Sequence, residues 1–450
     1  MTAIQLTREE MPKSWYNILP DLPTPLSPPK GEEAIKKLQT YGIKECLRQE
    51  FSSERYIPIP KELQEKYEMV GRPRALVRAE RLEKALKLPS GIKMYFKRED
   101  LSPTGSHKVN TALAQAYFAA KEGKERLTTE TGAGQWGSAL SYGAMLNDLK
   151  PTVYWVRAVH DWKPERKAFM QMMGADVFAS PSNKTEFGRK LLKRNPDHSG
   201  SLGIAISEGI EDALSDEKAA YTLGSVLNHV LMHQTVIGLE TKKQFEKIDD
   251  YPDYMISCLG GGSNFGGFIL PFAGDVLKGK APKEVKFIAA QSQAAPNLSR
   301  GRYVYDYADH AEITPQLKML TLGHRISMTP IKGDGLRYHA ASPIISSLKV
   351  NHRLIETIAY PPDERYVFER AMLFFQNEGV LPAPESAYSV ACAVDQALEC
   401  KRRDEEKVIA FNVSGHGLLD TSGYSEVLSE KIGKRISVND LSQSFAPTPF

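Results

Sequence analysis

The chain has 450 residues, 41% hydrophobic and 25% charged, an ordinary composition for a globular protein with a sizeable core. Its 58 Lys and Arg against 55 Asp and Glu leave a formal charge of +3, too balanced to point to nucleic acid or a membrane surface as a partner. The opening MTAIQLTREE has no signal-peptide h-region, and no apolar run is long enough to span a bilayer. Cys46, Cys258, Cys392 and Cys400 are scattered without metal-ligand spacing, so a cytoplasmic protein with reduced packing cysteines and no metal site is expected.

Residues 1–70 differ from the rest. LPDLPTPLSPPKGEE is proline-rich and unsuited to helix or sheet interior, whereas WYNILP is apolar enough to dock. The segment reads as an extended arm lying on the body or on a second subunit; the alternative is a disordered tail. From about residue 90, short β-rich runs alternate with helical patterns. Strands are expected at 92–97, 126–130, 152–156, 176–180, 254–260, 285–291 and 408–414, and helices at 109–122, 135–147, 164–174, 207–215, 222–247, 365–378 and 386–401. Near-continuous apolar strands alternating with helices imply parallel sheets covered on both faces. There are too many units for one ordinary sheet, so the expected α/β fold has two domains with a cleft between them.

In such sheets ligands bind beyond the carboxyl ends of the strands. Gly260-Gly261-Gly262-Ser263-Asn264 follows YMISCL and leads into a helix. Consecutive glycines let backbone N–H groups converge on one anion, and the Ser and Asn side chains add donors. It is neither a Walker A loop nor a dinucleotide fingerprint; the plainer reading is a tight strand–helix turn. Glu130-Thr131-Gly132-Ala133-Gly134-Gln135 has the same logic, and its N–H groups, the Thr131 hydroxyl and the Gln135 amide suit a carboxylate. Glu130 either faces the same pocket or caps the helix. Ser414-Gly-His-Gly follows VIAFNV in the same way.

TGSHKVN places His107 and Lys108 at the start of the Ala-rich helix TALAQAYFAAKEG. A cation at that end of a helix costs about 0.3–1 kcal/mol, a penalty that vanishes if the amine is uncharged. An exposed lysine is one reading. A lysine bonded to a carbonyl cofactor is the other, and a phosphate-bearing aldehyde, pyridoxal 5′-phosphate (PLP), would occupy both the lysine and the GGGSN loop.

GRPRALVRAERL, YFKREDLSPTGSHKVNTA, ETGAGQWG, GGGSNFGG, GVLPAPESAYSV and FNVSGHG occur in an order similar to that of the tryptophan synthase β-chain family, over residues 71–420. The long arm with WYNILPDLP resembles the family's second, longer variant. The resemblance implies a fold type II PLP enzyme with two doubly wound α/β domains and the cofactor in the cleft. It implies an arm at 1–70, a crossover segment at 71–105 packing with the C-terminal domain, an N-terminal domain at 106–232 with a mobile subdomain, and a C-terminal domain at 233–450. By the same resemblance Lys108 bonds the cofactor and moves the substrate α-proton, and His107 sits by the phosphate. Gly260, Gly261, Gly262, Ser263 and Asn264, with Ser225 beside them, hold that phosphate. Thr131, Gly132, Ala133, Gly134 and Gln135 bind the substrate carboxylate. Glu130 assists the leaving group and proton loss from indole, Glu385 flanks the pyridine ring, and Ser414 meets its nitrogen. A serine there keeps the ring nitrogen neutral and the sink weak, which favours β-replacement over transamination. The implied product is tryptophan, with indole in an apolar pocket between the domains. A homodimer is expected; the resemblance also leaves room for a tryptophan synthase α chain and for a monovalent cation (K+ or Na+) on backbone carbonyls.

Two positions depart from the family's main form: Trp136 replaces a histidine, and Arg337, in GLRYHAASP, replaces an aspartate associated with the donor's β-hydroxyl. Arginine cannot accept that hydroxyl's hydrogen bond but can grip a phosphate through two parallel bonds. O-phospho-L-serine is therefore expected as donor over L-serine. Phosphate, with a second pKa of about 6, leaves far more readily than hydroxide, whose conjugate acid sits at about 15.7. The alternative is that Arg337 pairs with Asp334; His324 and Arg325 are minor candidates to assist. The rival functions are a serine or threonine deaminase, a threonine synthase, and a non-catalytic PLP-binding subunit.

Overall fold

The computed structural model describes residues 2–442; the end of the expected C-terminal domain, 443–450, lies outside them. Two parallel sheets dominate it. The larger has seven strands in the order Ala3–Ile4, Leu76–Arg78, Ile92–Arg98, Lys407–Val413, Tyr254–Cys258, Lys286–Ser292, Ile355–Tyr360. Its first two strands are antiparallel to their neighbours and the rest run parallel. The smaller has four parallel strands, Asp176–Ser180, Lys150–Val156, Arg126–Thr131 and Ala219–Thr222.

The larger sheet is covered on both faces, as its near-continuous apolar strands require. Alternate residues face opposite cores. Met255, Phe287 and Ala410 pack toward the helix Ser263–Leu277, and Ile256, Ile288, Ile409 and Phe411 toward Arg365–Glu378 and Pro384–Arg403. All seven expected strands are present. The expected helix at 207–215 begins earlier, at Leu202, where the Ser201 hydroxyl caps the Ile204 N–H. The expected helix at 222–247 is not continuous: a strand ends at Thr222, a loop follows, and two helices run Asn228–Gln234 and Val236–Glu246. Its apolar periodicity runs on through the loop, where a side chain at Gly224 would begin 2.4 Å from the Trp136 ring.

The first 70 residues are not simply an extended arm. Residues 22–29 carry no helix or strand, but Glu32–Tyr41, Lys44–Glu50 and Lys61–Met69 are helices. Trp15 is fully buried, its ring against His233 and Phe118 and its indole N–H donating to Tyr67 Oη at 3.3 Å. Tyr67 in turn donates to the Asn110 carbonyl at 2.9 Å, two residues beyond Lys108. The Glu50 carboxylate accepts from the Asn228 and His229 N–H groups and so caps the helix Asn228–Gln234. The segment is thus part of the core that supports the start of the helix Val109–Lys121.

Trp15→Ala is expected to lower the unfolding free energy by about 3–5 kcal/mol, the usual effect of emptying a large buried aromatic site, read from the shift of the urea midpoint.

Candidate active site

Three neighbouring strands of the larger sheet, Ile92–Arg98, Lys407–Val413 and Tyr254–Cys258, point their carboxyl ends the same way. They lead to His107 and Lys108, to Ser414, and to the GGGSN loop. The strand Arg126–Thr131 of the smaller sheet ends in Glu130 and Thr131. The resulting cleft is lined by His107, Lys108, Glu130, Thr131, Gly132, Ala133, Gln135, Ser225, Gly260, Gly261, Gly262, Ser263, Asn264, Glu385 and Ser414. Its convergent polar groups and partly apolar wall are those of a small-molecule site.

Lys108 caps the helix Val109–Lys121, and its amine approaches the Gly224 carbonyl at 3.5 Å. Burial draws the amine below its ordinary pKa, partly offset by Glu130 and Glu385. The cation that a helix N-terminus disfavours is thereby pushed toward neutrality. Glu130 is displaced the other way: burial pushes its carboxyl up to about 7 against the Tyr221 hydroxyl, backbone N–H groups and Lys108, which favour the carboxylate. His107 is drawn down to about 3 by burial and by the neighbouring Lys108. Its Nδ1 lies 3.4 Å from the Ser414 carbonyl, which can only accept, so Nδ1 carries the proton and Nε2 accepts from the Ser263 hydroxyl at 3.3 Å.

The glycines of the GGGSN loop are there for clearance. A methyl group on Gly260 would lie 2.5 Å from the Gly335 carbonyl, one on Gly261 2.3 Å from Ser225 Oγ, and Gly262 has φ +117°. The loop opens the helix Ser263–Leu277, whose first N–H groups complete an anion cradle. The Asn264 side chain is turned away, donating to Ser257 Oγ and the Cys258 carbonyl and accepting from Asn412. Only its backbone can serve the cradle. Ser414 Oγ lies 2.6 Å from Ser386 Oγ, which accepts from the Gly415 N–H. Glu385 accepts from the Gly335 N–H at 2.9 Å and from Gln135 Nε2 at 2.8 Å, so the Gln135 amide is already engaged. Cradle, enclosed amine and hydroxyl fit a phosphate-bearing pyridine aldehyde.

Two expected site residues are not among those lining the cleft. Gly134 has φ +91°, and a side chain there would meet Trp155 at 2.7 Å; it shapes the loop from behind. Arg337 donates to Asp334 Oδ1 at 3.1 Å and to the Met328 carbonyl at 3.2 Å, the pairing weighed as the alternative, and Asp334 is the member that lines the cleft. His324 and Arg325 are held by Asp306 and Glu312, also away from the lining. Sequence reasoning missed Asp334 itself. It belongs to a cluster in which Lys163 and Arg166 bind Asp420, with Lys163 also 3.8 Å from Asp334. Burial pushes Asp334 up to about 6. The missed apolar wall is Trp136, Leu202, Ile206, Leu223, Val226, Leu336 and Tyr338. The four-residue spacing of Leu202 and Ile206 on one helix was the legible signal.

A family profile described as pyridoxal-phosphate dependent enzyme matches residues 67–415. The chain is 55% identical over 445 residues to the tryptophan synthase beta chain of Pyrococcus horikoshii, covering 98% of this chain and 95% of that one. It is 53% identical over 435 residues to tryptophan synthase beta chain 2 of Methanothermobacter thermautotrophicus, covering 96% and 100%. Among solved structures, a threonine deaminase from Solanum lycopersicum (TM-score 0.59, 15% identity, 90% and 96% covered) and an L-serine ammonia-lyase from Rhizomucor miehei (TM-score 0.57, 16%, 79% and 97%) share the fold.

The folded Glu130 carboxyl keeps its proton to about pH 7, whereas an unfolded chain releases it near 4.3, so its contribution to stability is complete at low pH and is lost between those values. Relative to Glu130→Gln, the wild type is expected to lose ~3 kcal/mol across this window, measured by urea unfolding of both proteins at a series of pH values.

Proposed function

We propose, from its membership of the tryptophan synthase β-chain family of PLP-dependent lyases, that this protein makes L-tryptophan from indole and an amino-acid donor, with O-phospho-L-serine preferred over L-serine. The observation that carries the reading is one cleft lined by an anion cradle, the Lys108 amine, the Glu130 carboxyl and the Ser414 hydroxyl. Bound PLP supplies the electron sink that lets the donor's Cα–H bond break. Gly260, Gly261, Gly262, Ser263, the Asn264 backbone and Ser225 would hold its phosphate, with neutral His107 alongside. Ser414 would serve as a neutral partner of the ring nitrogen, and Glu385, fixed by Gly335 and Gln135, would border the ring.

Lys108 Nζ would hold the cofactor through its aldehyde, and the same amine takes the donor's α-proton; an amine drawn toward neutrality by burial suits that base role. Thr131, Gly132, Ala133 and Gln135, on the loop that Gly134 shapes, hold the donor carboxylate chiefly through backbone N–H groups. Glu130 gives its proton to the departing β-substituent and afterwards takes the indole N–H proton. A carboxyl poised near neutrality can do both. Indole lies against the apolar wall of Trp136, Ile206 and Leu223.

Support for phosphoserine is the group of basic side chains around Asp334, which also bears the charge of Glu385. Lys163 and Arg337 face Asp334, Lys163 and Arg166 face Asp420, and among the described residues Arg337 Nε, Arg166 Nη1 and Asp334 Oδ2 have no hydrogen-bond partner. A donor phosphate next to Asp334 would draw the Arg337 fork from it. The second reading, L-serine as donor, is favoured by the Arg337–Asp334 pair as it stands. The reading includes the domain division at 70, 105 and 232, a homodimer, a cytoplasmic location, a monovalent cation and a transient α-chain contact.

With purified protein, PLP and indole, the wild type is expected to form tryptophan faster from O-phospho-L-serine than from L-serine. Arg337→Asp is expected to reverse the preference, each by about tenfold or more in kcat/KM, or ~1.4 kcal/mol. Equal or better use of serine by the wild type contradicts the donor assignment and leaves the synthase. Pyruvate in place of tryptophan from both donors contradicts the synthase.

A further inference from the structure

Glu130 Oε2 accepts a hydrogen bond from Tyr221 Oη. Thr129 Oγ1 is also 3.3 Å from Oε2 but only 2.7 Å from the Thr222 carbonyl, which takes its single proton. The Tyr221 phenol is therefore the effective side-chain donor to the carboxyl. Tyr221 sits on the short strand Ala219–Thr222, paired beside the Glu130 strand, and is buried. Its ring borders a second, apolar pocket, walled by Leu38, Tyr41, Ile43 and Leu47 of the N-terminal segment and by Ile206 and Leu223, which also line the active-site cleft. A ring beside such a cavity needs support to keep one pose. Tyr41 supplies it, meeting the Tyr221 ring edge-on with centroids 6.0 Å apart and planes at 81°.

We propose that Tyr221 is a positioning residue for Glu130: it occupies Oε2, so that the proton the carboxyl gives and takes sits on Oε1, and Tyr41 of the N-terminal segment holds the Tyr221 ring in place. The proposal rests on Glu130 being the proton carrier of the reaction. The first 70 residues thereby have a part in the chemistry. The titratable groups bearing on Glu130 are Lys108, from the start of its helix, and Tyr221; Glu130 in turn bears on Tyr338, across the cleft. Those bearing on Tyr221 are Glu130, Tyr41 and Tyr338. Of these, only Tyr221 donates a side-chain hydrogen bond to the carboxylate, so its loss favours the protonated form.

The test is the kcat–pH profile of tryptophan formation by the holoenzyme, in the wild type, Glu130→Gln, Tyr221→Phe, Tyr41→Leu and Tyr41→Phe. Glu130→Gln identifies the limb that reports Glu130 by abolishing it. Tyr221→Phe is expected to move that limb up by about one pH unit and to lower kcat about tenfold. The donor KM and the cofactor absorbance are expected to match the wild type, which a merely structural role would not predict. Tyr41→Leu moves the limb in the same direction by less, and Tyr41→Phe, which keeps the ring, leaves it in place. A limb unmoved in Tyr221→Phe overturns the proposal and leaves Glu130 its role. A limb unmoved in Tyr41→Leu overturns the part given to Tyr41. A limb that survives Glu130→Gln overturns both the proposal and the reading beneath it.

Discussion

An amine and a carboxyl are withdrawn from water together in one cleft, and the rest of the structure depends on that burial. Desolvation disfavours the charged form of each. It lowers Lys108 and raises Glu130, so each is shifted toward its uncharged form. The cost of placing a lysine at the positive end of a helix is removed by the same burial. Fold and site are thus linked by one physical term. The two sheets bring strand ends together, and the closed cleft that results sets the protonation of what lies at those ends.

That cleft rests on a second set of buried charges. Arg72 and Arg74, from GRPRALVRAERL, pair with Glu99, while Lys97 and Arg72 reach Glu240 on the helix Val236–Glu246, all without solvent exposure. Glu99 also accepts from Asn110 on the helix that Lys108 opens. Removing one member of such a network leaves an unpaired buried charge, at about 3–5 kcal/mol. The network therefore ties residues 72–99, the Lys108 helix and the helix Val236–Glu246 into one arrangement. The N-terminal segment completes it from the other side, through Trp15, Tyr67 and the Glu50 cap.

Much of this is legible in the sequence because the central strands are apolar along their whole length and end in glycine-rich loops. Each glycine loop lies where the strand order predicts, and the site residues named on those loops line the cleft, apart from Gly134. What escapes reading is set by contacts between distant residues. Ala219–Thr222 is four residues that follow a run of charges, and Ile355–Tyr360 carries Glu356 and Thr357 at a sheet edge. The loop that interrupts the expected helix holds Gly224 against the Trp136 ring, nearly ninety positions away. Arg337 has one carboxylate three residues before it and a cleft beyond that carboxylate, and its sequence context favours neither. The proline-rich opening reads as an arm, yet its aromatic residues make it part of the core, since Trp15 and Tyr67 find partners only in the folded body.

The most direct test of the account's central claim is where the cofactor is held. Holoenzyme treated with sodium borohydride, digested and analysed by peptide mass spectrometry should carry the reduced cofactor on the peptide containing Lys108 and on no other. Reduction fixed to a different lysine, or none fixed at all despite bound cofactor, would contradict the account.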